Sequence, residues 1–202
     1  MVLRRLVALA GVVAILVAGI GAKRARADDV VNGIAIASAA LVIESFFVPT
    51  PTDDESDFFS IEGGRFDAVR QVKQSDELGL EYRSGYFLWK VKPFAGVGVT
   101  TNESLYGYAG IRLDTYWGRR FIVTPSFALV AYNRGAGKNL GSPILGRSGF
   151  DFQYRFDDDV RLGVAFHHMS NGKVLGQRLN PGTELVGLTV SVPVKKLLGG
   201  SQ

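Results

Sequence analysis

The chain has 202 residues, with 23 lysines and arginines against 19 aspartates and glutamates, two histidines and no cysteine. The absence of thiols excludes disulfides and thiolate metal sites, and the length suits one domain. The formal net charge of +4 would suggest an acidic partner, but its source lies in a single segment at the start of the chain.

In that segment Arg4 and Arg5 precede an apolar run from Leu6 to Ala22, and Ala25-Arg26-Ala27 then supplies a small-x-small cleavage pattern. Residues 1–27 therefore read as an export signal removed before Asp28. The signal holds five basic and no acidic residues, so the chain beyond it has 18 basic against 19 acidic side chains and a net charge of −1. A nucleic-acid partner is excluded on that balance. No glycine-rich phosphate loop opens a helix, so a nucleotide site is not expected either.

Residues 28–57 form an N-terminal extension. Val30 to Val48 is nearly all apolar, with Asn32 and Glu44 as the main exceptions, and a linker with Pro49, Pro51 and Asp53-Asp54-Glu55 follows. A periplasmic amphipathic helix, a plug and a membrane-associated segment are all compatible with it.

From Phe58 onward, apolar and polar residues alternate with a period of two, which predicts strands. Eight are expected, at 58–66, 75–83, 87–100, 104–116, 120–132, 146–156, 159–170 and 183–194. Several exceed the usual soluble strand of about five or six residues and match the nine to eleven or so that cross a bilayer at a tilt. A soluble sandwich would alternate too. Against it, the minor face carries Glu81, Arg83, Tyr106, Tyr108, Arg112, Asp114, Arg155 and Arg161, which suit a polar lumen. Tight turns at Gly118-Arg119 and Asp157-Asp158 also alternate with long connections at 133–145 and 171–183, as in outer-membrane barrels. The expected class is all-β: an eight-stranded antiparallel transmembrane up-and-down barrel over 58–194, with a tail at 195–202.

The only histidines lie in Phe166-His167-His168-Met169-Ser170-Asn171, and Asn180-Pro181-Gly182-Thr183-Glu184 follows one loop later. A serine, a histidine and a carboxylate are the parts of a serine hydrolase. The outward register Val160, Leu162, Val164, Phe166 continues by twos to His168 and Ser170, and Glu184 shares parity with Val186, Leu188, Val190 and Val192. Residues two apart on a strand face lie about 6–7 Å apart at Cα, and the neighbouring strand brings Glu184 within cross-strand reach. Singly, each residue reads as a rim side chain or a turn cap. Together, on one face and one loop, they form a candidate triad turned toward lipid. His167 has lumen parity, and adjacent strand residues face opposite ways, which argues against a His167-His168 metal pair.

The His168-x-Ser170-Asn171 string, Asn180-x-Gly182-x-Glu184 and the strand pattern resemble the lipid A 3-O-deacylase (PagL) family of outer-membrane enzymes, over about residues 58–194. Where that family typically runs Ser-Asn-Ala-Gly, this chain runs Ser170-Asn171-Gly172-Lys173. The resemblance implies a catalytic His168, Ser170 and Glu184 at the lipid-facing surface near the outer leaflet, and hence an outer-membrane esterase. Lipid A or lipopolysaccharide would be its substrate, with no cofactor required. Asn171 and Gly172 are the candidate oxyanion donors, and Val164 and Phe166 the candidate acyl-chain contacts. A homodimer is left open. An outer-membrane phospholipase with the same triad and a non-catalytic small barrel are the alternative readings.

Overall fold

The computed structural model describes residues 56–86, 91–174 and 176–199, together with Gly33, Ile36, Ala40 and Ile43, which are helical. The expected export signal and cleavage point at 1–27, and most of the extension, lie outside the described residues. The barrel is built from β1 (Phe58–Phe66), β2 (Ser75–Arg83), β3 (Lys92–Thr100), β4 (Leu105–Arg112), β5 (Thr115–Trp117), β6 (Phe121–Asn133), β7 (Ile144–Arg155), β8 (Arg161–Ser170) and β9 (Thr183–Pro193). A single helical turn, α1 (Val194–Leu197), follows Pro193.

All pairings are antiparallel. β1 lies between β2 and β9, and β4 pairs with β6, so the sheet closes on itself. β4 and β5 run end to end along β6 in one continuous register and make one stave, giving eight in all. The interruption between them faces Pro125, which accepts from the Leu113 amide but has no N–H to return. Closure leaves no strand edge to be satisfied by lipid.

Alternation places side chains as the period-two pattern requires. Leu78, Leu129 and Leu188 are each more than half exposed on the outside. Inward positions are polar and packed. Asp114 is met by Arg112, by Lys92 Nζ at 3.2 Å and by Arg161 Nη1 at 3.6 Å. Arg147 lies 3.6 Å from Glu62 and 3.7 Å from Glu81, with its guanidinium 4.4 Å from the Tyr108 ring centre. His167 is buried among these groups, its Nε2 3.3 Å from Asp151 Oδ1 and 3.6 Å from Glu62 Oε2.

The long connections, 134–143 and 171–182, share one end of the barrel with 67–74 and 101–104. There Leu140 folds over the lumen and packs with Phe66, Tyr132, Leu145 and Leu185. Expected and observed strands differ mainly at their ends. The strand expected from residue 87 is assigned from Lys92, with 87–90 outside the described residues, and the last strand stops at Pro193 rather than 194.

Candidate active site

β8 and β9 are direct neighbours, and their register sets His168 opposite Glu184. The side chains meet on the outer face: His168 Nδ1 lies 3.3 Å from Glu184 Oε1. Glu184 is fully buried, whereas the His168 side chain keeps 21% exposure. An imidazole whose Nδ1 faces a carboxylate presents Nε2 as its base. Ser170 stands two residues further along the same face, about 6–7 Å away at Cα from the strand rise. Among the described residues no hydrogen bond joins its hydroxyl to His168.

Gly182 closes the site from the side of the loop. Its φ is +63°, and a Cβ there would stand 2.7 Å from His168 Cε1 and 3.3 Å from Nε2. A side chain would displace the imidazole, so glycine is required both for its backbone and for its lack of bulk. Pro181-Gly182 marks a turn in sequence, whereas the contact of Gly182 with the histidine is a tertiary fact.

Asn171 organises the connection after Ser170. Its Nδ2 donates to the carbonyls of Leu140, at 2.7 Å, and Leu179, at 2.8 Å. Its Oδ1 accepts from the Lys173 amide at 2.8 Å, and its own amide donates to Asn180 Oδ1 at 3.1 Å. Every Asn171 donor is thus engaged within the loop in this arrangement, against its expected place as an oxyanion donor. Gly172, exposed and with φ +59°, holds the neighbouring amide.

Val164 lies on the outer face and is 46% exposed. Phe166 shares its register but is only 6% exposed, packed with Phe150 and Val123 and touched by Val69. Phe166 is therefore a wall of the site more than an open surface for a chain.

The structure also brings in residues that no strand pattern announced. The 67–74 connection bends onto the outer face of β9, where the Ala68 amide donates to the Glu184 carbonyl at 3.0 Å. Arg70 Nε then lies 3.7 Å from Glu184 Oε1, the oxygen that faces His168. Local sequence contains no signal for this, because the two residues are far apart along the chain and meet only when β1 and β9 pair.

The family described as lipid A 3-O-deacylase (PagL) matches residues 77–193, from within β2 to the last residue of β9. The match includes every candidate residue except those of the 67–74 connection. No curated protein sequence matches the chain. Among solved structures, the crystal structure of the outer membrane enzyme PagL is similar over 69% of this chain and 100% of that one, with 19% identity and a TM-score of 0.51. A de novo designed transmembrane β-barrel is similar over 71% of this chain and 100% of its own, with 9% identity and a TM-score of 0.50. At such identities the two likenesses concern the fold, and a designed barrel serves as well as an enzyme for that purpose. Neither supports a homodimer. The family match is the finding that goes further: it spans more than half of the sequence and takes in the strands and loop that carry His168, Ser170 and Glu184, so the chain belongs to the outer-membrane lipid A 3-O-deacylase (PagL) family.

Proposed function

We propose that this chain removes the 3-O-linked acyl chain of lipid A with a Ser170-His168-Glu184 triad on the lipid-facing surface of its barrel. Ser170 Oγ attacks the ester carbonyl while His168 takes its proton. His168 returns that proton to the departing sugar hydroxyl, leaving an acyl-serine that water hydrolyses. Glu184 orients the imidazole and stabilises its protonated form. The observation that carries this reading is the 3.3 Å approach of His168 Nδ1 to Glu184, directly across the β8–β9 pair and two residues from Ser170.

The oxyanion falls to the Gly172 amide, since Asn171 is committed to the loop it holds. Val164 and the exposed Leu162 below the triad offer apolar surface to the acyl chain. A substrate already in the leaflet reaches such a site by lateral diffusion, without leaving the membrane. The triad itself provides nucleophile, acid and base, so no cofactor enters the cycle.

Mass spectrometry of lipid A and phospholipids from cells making the wild type or Ser170→Ala tests this. Loss of one 3-linked hydroxyacyl chain with the wild type alone is the expected result. Intact lipid A with serine-dependent phospholipid hydrolysis would assign the triad to a phospholipase instead. No change in either lipid would leave a non-catalytic barrel.

A further inference from the structure

Glu184 is fully buried, yet it lies on the register that faces lipid. A buried carboxylate is stable only with a compensating charge. In the triad reading His168 has to accept the serine proton, so it is not the group that supplies that charge beforehand. Arg70 stands 3.7 Å from the same oxygen, its side chain 27% exposed, and approaches from a different element.

The 67–74 connection is built to hold it there. Asp67 Oδ2 accepts from the Val72 and Lys73 amides at 2.7 and 2.8 Å, and Asp67 Oδ1 pairs with Lys138 of the 134–143 connection. These contacts sustain a positive φ of 58° at Asp67, a conformation that L residues adopt at some cost. The Ala68 amide ties the connection to the Glu184 backbone at 3.0 Å, and Val69 lies against the Phe150–Phe166 cluster. One connection thus grips both the main chain and the side chain of Glu184.

We infer that Arg70 is a positioning residue for the reaction: it holds the Glu184 carboxylate aimed at His168, and the Asp67–Lys138 pair holds the connection that delivers it. The inference rests on the triad reading above. Arg70 touches no reacting atom, so its effect belongs in the chemical step and not in substrate binding.

The test is steady-state deacylation of purified lipopolysaccharide by the full-length protein in detergent micelles, for wild type, Arg70→Ala, Arg70→Lys, Lys138→Met and Ser170→Ala. Barrel content is checked by circular dichroism. Arg70→Ala is expected to lose roughly ten- to a hundred-fold in kcat, the range seen when the outer partner of an oriented ligand is removed, with KM little changed. Arg70→Lys should recover most of the rate, and added guanidinium should partly restore Arg70→Ala but not Ser170→Ala. Lys138→Met should show a smaller loss in the same parameter. A wild-type kcat in folded Arg70→Ala would overturn the inference. So would a loss confined to KM, which would make Arg70 a substrate contact, or a loss that neither lysine nor guanidinium repairs. Equal inactivity of wild type and Ser170→Ala would defeat the triad reading, and this inference with it.

Discussion

Glu184 lies opposite His168, fully buried, within 3.3 Å of its Nδ1 and near one arginine. Its replacement by glutamine keeps the volume and removes the charge that the imidazolium needs. The amide can also turn its NH2 toward Nδ1, which favours the wrong tautomer. The corresponding aspartate-to-asparagine change in the serine-protease triad lowers kcat by on the order of 10⁴, and Glu184→Gln should lose a comparable 10³- to 10⁴-fold in acyl release while the barrel stays folded. Gly182 tests the other side of the imidazole. In Gly182→Ala the new Cβ would meet His168 Cε1 at 2.7 Å, and the residue would have to hold a φ of +63°. The strained backbone costs about 1–2 kcal/mol, readable as a small loss in unfolding free energy. The displaced imidazole should lower kcat by considerably more than that strain implies. Asn171→Ala should act differently again. It removes two bonds to the Leu140 and Leu179 carbonyls, so the loop should become sensitive to proteolysis between 171 and 182 before the rate falls.

Strand parity carries the argument from residues to a surface, because a slip of one residue would send every side chain to the opposite face. The chain has no cysteine, so single spin labels can be placed without removing native thiols. In the observed register a label at Leu188 should be highly accessible to oxygen and poorly accessible to an aqueous nickel reagent. A label at Ser148, beside His168 on β7, should respond to both, as expected at the rim. A slipped β9 would bury the Leu188 label in the lumen and hide it from oxygen. This element-level order was legible in the sequence because alternation is local: β1 and β2 were readable to the residue, and His168, Ser170 and Glu184 could be set on one face by counting. What was not legible is what connections do once the barrel closes. The covering of Phe166 by Val69, the engagement of Asn171 and the approach of Arg70 all depend on contacts between distant segments. No periodicity encodes them, and the β4–β5 interruption likewise depends on Pro125 of the facing strand.

At the scale of the whole molecule the barrel separates two polar systems: the proposed triad on its outer face and an ion-pair network in its lumen, with His168 and His167 on opposite sides of one strand. The lumen system is a set of largely buried ion pairs, and such sets are balanced as a unit. Arg147 sits at its centre between Glu62 and Glu81, over Tyr108. Arg147→Ala would take a cation from both carboxylates, leaving Glu81 to Arg83 and Glu62 to His167, a loss of up to about 3–5 kcal/mol for a broken buried pair. Urea unfolding in lipid vesicles should show that loss. Combining Arg147→Met with Glu62→Gln should restore much of it, because one positive and one negative charge leave together while Glu81 keeps Arg83. Two further measurements distinguish a structural lumen from a functional one. The double variant should deacylate at close to the wild-type rate, since the proposed triad faces outward. Neither it nor the wild type should give conductance steps in a planar bilayer, because an eight-stranded barrel has an interior that side chains fill. A conducting wild type would mean that the lumen network opens in the membrane, and the division of labour between the two faces of β8 would then be lost.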